Sequence, residues 1–172
     1  MRDTIMNNEL TAQDIAIMQK ELDEKRLVEL PAAIEEVKRT RAFGDLSENF
    51  EYKEAKRAKN KNGSRIRYLE NMIKTAKVIS DESGADEVGL YDKVQIRMVE
   101  SGKTMQLQIV TTLRTDPLKG IVSRESPFGK AVLGRKVGER STVQVNPTSS
   151  YTVEILSIEK AADDGSIPIR EY

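Results

Sequence analysis

The feature that most constrains the fold is a helical repeat from residue 11 to about residue 79, interrupted once at Gly44. Apolar residues recur at spacings of three and four on both sides of that glycine, and the positions between them are largely charged. Such spacing places the apolar residues on one narrow stripe of an α-helix. Helices with narrow stripes bury mainly each other, so we predict an antiparallel coiled-coil hairpin that projects from the protein. Each arm of about 30 residues would be about 45 Å long.

The sequence predicts where each arm begins and how it continues. Thr11 is expected to cap the first helix, and Pro31 is expected to bend that helix without ending it, because proline lacks an N–H and its ring clashes with the preceding turn. Gly44 is predicted to end the first helix as a left-handed cap. The predicted seam of the first arm is Ile15, Met18 and Leu22 and then, after a slip of one residue, Leu27, Leu30, Ile34 and Val37. The predicted seam of the second arm is Tyr52, Ala55, Lys59, Asn62, Ile66, Leu69, Ile73 and Ala76.

A second, smaller domain follows the hairpin. Residues 1–80 are assigned to the hairpin with its tip at 44–49, residues 81–89 to a linker, 90–160 to the second domain and 161–172 to a flexible tail. Alternating apolar residues around Ser101-Gly102 and around Asn146-Pro147 predict two strand pairs. Ser126 and Pro127 predict the N-cap and first residue of a short helix that ends at Gly134. The fold class is therefore α+β, with a small antiparallel sheet and one short helix.

Composition excludes several kinds of site. The chain has no histidine and no cysteine, which excludes thiol nucleophiles, imidazole bases and zinc ribbons. Carboxylates remain as metal ligands, and they suit hard ions such as Mg²⁺. No apolar run approaches the 18 residues of a membrane span, and the N-terminus lacks a signal-peptide core, so we expect a cytoplasmic protein with no membrane partner.

Two acidic residues, Asp45 and Glu48, are expected at the hairpin tip and admit two interpretations. An aspartate followed three residues later by a glutamate is a capping box at a helix start, which would give the pair a structural role. Alternatively, a long probe could deliver the two carboxylates into the active site of another protein. The sequence pattern alone leaves both open.

The two arms carry opposite charge. Residues 1–51 hold 7 basic and 12 acidic side chains, whereas residues 52–80 hold 9 basic and 2 acidic ones. The basic stripe of the second arm consists of Lys53, Lys56, Arg57, Lys59, Lys61, Arg65 and Arg67. It could pair with the acids of the first arm, as coiled-coil flanks do, or bind phosphates. Near the tip, Arg41, Lys53, Lys56 and Arg57 outnumber the neighbouring acids and are the candidate RNA contacts.

Several separated motifs together resemble the Gre family of bacterial transcript-cleavage factors. The tip motif is Gly44-Asp45-Leu46-Ser47-Glu48-Asn49 with Tyr52 and Ala55-Lys56 following it. The others are Leu30-Pro31-Ala-Ala-Ile34, Arg67-Tyr-Leu69-Glu70, Ala76-Lys-Val78-Ile79 and Ser126-Pro127-Phe-Gly129-Lys-Ala131-Val-Leu133-Gly134. They occur in the family's order over nearly the whole chain. Leu46 is more similar to the A-type factors, whereas the basic stripe is more similar to the B-type, so the length of the released RNA fragment stays open.

The resemblance implies a function and a set of roles. A coiled coil would enter the secondary channel of bacterial RNA polymerase, and a C-terminal domain similar to FK506-binding proteins would dock at the channel rim through Ser126 and Pro127. Asp45 would coordinate a Mg²⁺ shared with the polymerase and Glu48 would position the attacking water. Arg41 and Lys56 match basic positions that steer the RNA 3′ end. The isolated protein, expected to be a monomer without cofactor, would thus be an activator and not itself an enzyme.

Two other functions remain open on the sequence. One is a Gre-like channel binder that regulates transcription without stimulating cleavage. The other is a coiled-coil chaperone or isomerase-like binding module, although three phenylalanines and no tryptophan offer few rings for a proline pocket. Phe50, which stands where many relatives have alanine, is expected to pack in the hairpin; contact with polymerase is its alternative.

Overall fold

The chain forms two compact units. The structure is a computed structural model, and it describes residues 8–44 and 49–170. One unit is Ala12–Lys77, and the other comprises the described residues up to Thr11 and from Val78 onward. The first unit is helical and the second is built on a sheet. The predicted α+β class is therefore confirmed.

The helical unit is a pair of long arms. The first arm consists of α1 (Ala12–Glu24), a π-helical turn (Lys25–Glu29) and α2 (Leu30–Arg41), and the second arm is α3 (Phe50–Thr75). The first arm has 30 residues, which at 1.5 Å each is about 45 Å. Two-residue strands, β1 (Glu9–Leu10) and β2 (Lys77–Val78), pair with each other. Within the described residues, no helix has the length and apolar character of a membrane span.

The π-helical turn explains how the first arm continues through Pro31. Leu30 donates its N–H to the carbonyl of Lys25, five residues back, so this turn holds one residue more than an α-helical turn. A proline ring clashes with the backbone of a regular α-helix, and a wider turn directly before it relieves that crowding. As predicted, the helix continues through Pro31. The predicted bend stays a prediction.

The π-helical turn also corrects the predicted seam. Leu22 is buried and Leu30, eight residues later, is half-buried, whereas an unbroken helical seam would return after seven. The residues of α2 that are turned inward are Leu30, Ala33, Val37 and Thr40. Leu27 and Ile34, predicted in the seam, are 76% and 38% exposed. The spacing of apolar residues in the sequence indicates that the first arm holds one extra residue. It does not indicate which side chains the π-helical turn rotates towards solvent.

The seam of α3 follows the prediction. Ala55, Ile66 and Leu69 are buried, and the predicted polar positions Lys59 and Asn62 are half-buried. Met72, three residues beyond Leu69, is also buried and extends the seam towards the end of the helix. The seam of α3 is therefore a single line of inward-facing residues. Its middle section, at Lys59 and Asn62, is polar and only half-buried.

The sheet unit contains five strands in the order β5-β4-β3-β7-β6. Their bounds are β3 (Lys93–Met98), β4 (Thr104–Val110), β5 (Ile121–Ser123), β6 (Arg140–Asn146) and β7 (Ser149–Glu159). Neighbours are antiparallel except β4 and β5, which pair in parallel. The prediction of a purely antiparallel sheet is thus wrong at this edge. The short strand β5 has only three residues, too few for an alternating pattern to reveal it.

The core of the sheet unit lies between one face of the sheet and α4 (Pro127–Val132). Val94, Ile96, Ile109 and Val143 are fully buried there, as the alternation in their strands predicted. Val88, inside the predicted linker, is also fully buried in this core. Its neighbour Gly89 donates its N–H to the buried carboxylate of Asp92 at 2.6 Å, which fixes the segment to the sheet.

The segment from residue 161 to 170 also lies against the sheet unit. Arg114 is 1% exposed, and its guanidinium donates to the carboxylate of Asp163 at 2.8 Å. Ile167 packs on the core, and the N–H of Arg170 donates to the carbonyl of Leu113 at 2.9 Å. A buried arginine is stable only when its charge is paired, which explains why a segment predicted as a flexible tail is held here.

Two glycines provide a test of the packing in each unit. A Cβ at Gly129 in α4 would lie 2.1 Å from the Ser123 carbonyl oxygen, whereas a Cβ at Gly63 in α3 would meet nothing closer than Arg67 at 3.7 Å. We expect Gly129→Ala to destabilise the sheet unit by about 1–3 kcal/mol through overpacking. Gly63→Ala should stabilise the hairpin by about 0.5–1 kcal/mol, because alanine loses less backbone entropy in a helix. Differential scanning calorimetry measures both shifts, and an unchanged transition in Gly129→Ala would contradict the close approach.

Candidate functional site at the hairpin tip

The structure describes the residues on either side of the predicted tip acids but not the acids themselves. Asp45 and Glu48 lie outside the described residues, as do Leu46 and Ser47. The last described residue before them is Gly44, whose φ of 106° is positive as expected. The prediction that Gly44 caps the first helix is wrong, because α2 ends at Arg41 and its C-cap is Ala42, with φ −72° and ψ −10°. The first one after them is Asn49. These two residues define where the tip connection leaves one arm and enters the other.

Helix α3 is capped by Asn49, which corrects the predicted start of the second helix at Asp45. Asn49 has an extended backbone, with φ −76° and ψ 95°, and its side-chain oxygen accepts the N–H of Tyr52 at 2.9 Å. That geometry is an N-cap, and asparagine is among the residues that favour it. Asp45 and Glu48 therefore do not form the capping box of α3, so the structural interpretation of this acidic pair loses its basis in that helix.

The end of α2 is tied to the same asparagine. The side-chain nitrogen of Asn49 donates to the carbonyl oxygen of Thr40 at 2.8 Å, across a separation of nine residues in sequence. Thr40 is fully buried, and its hydroxyl donates to the carbonyl of Glu36 at 2.8 Å. The two arms are thus hydrogen-bonded to each other directly below the tip. This role of Asn49 was not predicted from the sequence, although the preference of asparagine for N-caps was an available signal.

Exposed aromatic rings lie on both sides of the tip. Phe43 is 62% exposed and lies under the Arg39 guanidinium, 5.2 Å from the ring centroid. Arg39 also donates a hydrogen bond to Glu36, which lowers the pKa of that carboxyl below its usual value. Phe50 is 72% exposed, so the expectation that it packs in the hairpin is wrong. Phe50 is the first residue of α3 and lines an open groove together with Glu36 and Arg39 of α2.

The four candidate RNA contacts share the tip region. Arg41 ends α2, and Lys53, Lys56 and Arg57 occupy the first two turns of α3; all four are exposed. Spacings of three and four place Lys53, Lys56 and Arg57 on neighbouring positions of one helix face. Arg57 has a weak ion pair with Glu54 at 3.8 Å. Arg41 and Lys56 make no ion pair with another residue in the described ranges.

The alternative role for the basic stripe, pairing with the first arm, holds for Arg65. Its guanidinium donates to both carboxylate oxygens of Glu21, at 2.7 and 2.9 Å, and the pair is largely buried. Lys59, Lys61 and Arg67 have no ion-pair partner within residues 8–44 and 49–170. Cross-arm pairing therefore accounts for Arg65, whereas Lys61 and Arg67 are exposed positive charges elsewhere on α3.

The predicted docking residues lie at the start of α4. The Ser126 hydroxyl accepts the N–H of Gly129 at 3.0 Å and donates to the Ser123 carbonyl at 2.7 Å, which confirms the predicted N-cap. Pro127 is the exposed first residue of the helix. Because the serine hydroxyl is occupied within the fold, the surface offered to another molecule here is that of Pro127.

No cluster of three or more acidic side chains suited to a metal ion occurs in the part of the chain that the structure describes. The two carboxylates of the tip motif are hard oxygen donors, the class that Mg²⁺ prefers. Two carboxylates are fewer than the six ligands of that ion, so a Mg²⁺ held by them would need further ligands from water or a partner.

Comparisons with known proteins match the chain to a protein family. Residues 8–78 match the model of the GreA/GreB transcription elongation factor N-terminal domain, and residues 82–160 match that of the GreA/GreB C-terminal domain. The chain is 40% identical to transcription elongation factor GreA of Bacillus velezensis, over 82% of this chain and 89% of that protein. It is also 40% identical to GreA of Mesomycoplasma hyopneumoniae, over 87% and 92% of the two chains. The solved structure of Gfh1 from Thermus thermophilus aligns with a TM-score of 0.41 at 23% identity, over 88% and 98% of the two chains.

Proposed function

Because the chain belongs to the GreA/GreB family of transcription elongation factors, we propose that its hairpin enters the secondary channel of RNA polymerase and stimulates cleavage of backtracked RNA. The observation that carries this proposal is the capping of α3 by Asn49. Because Asn49 supplies the N-cap of α3, neither acid of the tip motif is required as the N-cap of that helix. Their position at the end of a long two-helix arm suits delivery into a partner's active site.

The dimensions of the hairpin support its proposed role as a probe that enters a channel. Its first arm of 30 residues is about 45 Å long, and its seam is a single line of inward-facing residues. A compact domain of this size does not need helices so long with so little buried surface. The outer faces of both arms are charged, which suits insertion into a hydrated channel lined by another protein.

The chemistry proposed for the tip requires only carboxylates. Asp45 would bind a Mg²⁺ that the polymerase also holds, and Glu48 would accept a hydrogen bond from the attacking water and orient it. A bound Mg²⁺ would neutralise charge on the reacting phosphate. The remaining ligands would come from the polymerase, which owns the active site. The protein is then an activator without catalytic activity of its own.

The basic residues near the tip would hold the extruded RNA 3′ end. Arg41 and Lys56 are exposed and match the family's basic positions, and Lys53 and Arg57 extend the same surface. Exposed cations attract phosphates through an interaction that weakens as salt rises. On the sheet unit, the exposed ring of Pro127 would dock at the channel rim, with Ser126 fixing the shape of the helix start. We propose that the protein acts in the cytoplasm and is a monomer when free.

The acids are tested by the variant Asp45→Ala/Glu48→Ala in a stalled, backtracked elongation complex with labelled RNA and saturating Mg²⁺. We expect cleavage to fall by about 100-fold or more, since positioned groups of this kind are worth at least that factor. Binding to polymerase, measured by competition, should stay within about twofold because the rest of the hairpin is unchanged.

The matched control is Asp23→Ala/Glu24→Ala, which removes two exposed carboxylates from α1, far along the arm from the tip. It should cleave at the wild-type rate. If the tip variant also cleaves at that rate, the acids do not act in cleavage. If the wild-type protein binds but stimulates no cleavage, the chain is a channel regulator instead.

The RNA surface is tested by Arg41→Ala/Lys56→Ala against Lys61→Ala/Arg67→Ala, which removes the same charge further along α3. We expect the tip-proximal pair alone to slow cleavage, by about three- to tenfold at low salt, with the difference shrinking as salt rises. Equal effects of the two variants would mean that the stripe acts only through its overall charge. Cleavage rates at several KCl concentrations provide the measurement.

A further inference from the structure

The side chain of Asn49 makes two hydrogen bonds that serve different parts of the hairpin. Its oxygen accepts the Tyr52 N–H at 2.9 Å and caps α3. Its nitrogen donates to the Thr40 carbonyl at 2.8 Å and reaches the other arm. An N-cap requires only the oxygen, and serine or aspartate would supply one equally well. Among these capping residues, asparagine alone also offers an amide donor.

The acceptor of the second bond lies at the end of α2, where the first arm gives way to the tip. The Thr40 carbonyl also accepts the N–H of Phe43 at 3.3 Å, in the turn that follows α2. Thr40 itself is fully buried, and its hydroxyl donates to the backbone of the preceding turn. The carbonyl that Asn49 reaches is therefore part of a well-fixed helix end.

We propose that Asn49 is a positioning residue for the tip: by bonding to Thr40 it ties the start of α3 to the end of α2, on either side of the segment that carries Asp45 and Glu48 in sequence. This inference rests on the proposed function. Asn49 follows Glu48 directly in the chain, so holding Asn49 against α2 limits where that carboxylate can go. Catalytic groups must be held within about 0.5 Å of the productive geometry by such supporting bonds. The oxygen and the nitrogen of the Asn49 side chain are both hydrogen-bonded within the hairpin.

Two variants separate the positioning bond from the cap. Asn49→Ser and Asn49→Asp both keep an oxygen that caps α3, and both lack the amide donor. Serine tests the loss without adding charge, and aspartate tests it with a side chain of nearly the same shape. Asn60→Asp is the control, since it makes the same change at an exposed position 11 residues further along α3.

Each variant is assayed for cleavage in the backtracked elongation complex at increasing factor concentration. That titration yields the maximal rate and the half-saturating concentration separately. Circular dichroism reports helicity and the melting temperature. We expect both Asn49 variants to lose about tenfold in maximal rate, because small displacements of reacting groups cost factors of this order. Half-saturation, helicity and melting temperature should stay close to wild type, and Asn60→Asp should match wild type throughout.

Other outcomes overturn the inference in distinct ways. Wild-type maximal rates in both variants would show that the bond to Thr40 does not position the acids. A slow aspartate variant beside a normal serine variant would assign the effect to charge. Loss of helicity with weaker half-saturation would make Asn49 purely structural.

The Asp45→Ala/Glu48→Ala variant, assayed in parallel, separates this inference from the proposed function. If that variant is inactive and the Asn49 variants are normal, only the role of Asn49 fails. If it cleaves like wild type, the proposed function fails and the positioning role fails with it.

Discussion

The narrow seam between the two arms is the interaction on which the rest of the hairpin depends. Met18 and Leu22 of α1 and Leu69 of α3 are buried along this seam. So narrow a seam tolerates no loss of register. The π-helical turn at Lys25–Glu29 absorbs one extra residue directly before Pro31 and thereby returns α2 to the seam. The Asn49 bond to Thr40 then holds the arms together at their far end.

The charges around this seam have two different uses. Further along the arms, Arg65 and Glu21 form a largely buried bidentate pair that joins α3 to α1. Close to the tip, Arg41 and Lys56 are exposed, with no ion-pair partner elsewhere in the described ranges. The same residue type thus has two uses: stabilising the arms where partners are near, and presenting positive charge where they are not.

Much of this could be predicted from the sequence, because it follows from periodicity and capping. The hairpin, most of the α3 seam, the strand pairs around Gly102 and the Ser126 cap all have local signals. What escaped prediction depends on contacts distant in sequence. The exposure of Leu27 follows from the π-helical turn, and the parallel pairing of β5 depends on where β4 lies. Arg114 holds Asp163 across 49 residues, which no local pattern reveals.

The tip illustrates the same limit at the candidate site. Two residues of the motif, Asp45 and Asn49, are both good N-caps, and spacing alone favoured Asp45 because Glu48 completes a capping box. The choice between them is made by the cross-arm bond from Asn49 to Thr40, which depends on how the arms pair. The position of the cap therefore bears on function: it separates the residue that begins the helix from the residues proposed to act in cleavage.

The most direct test of the account is whether the tip reaches the RNA 3′ end. A photoactivatable amino acid in place of Leu46, between the two acids, is irradiated in a backtracked elongation complex whose RNA carries a 3′ label. The same residue in place of Leu118, which is fully exposed on the sheet unit, is the control. We expect labelled RNA to be crosslinked from position 46 and none from position 118. Crosslinking from position 118 alone, or from neither while the factor is bound, would contradict it.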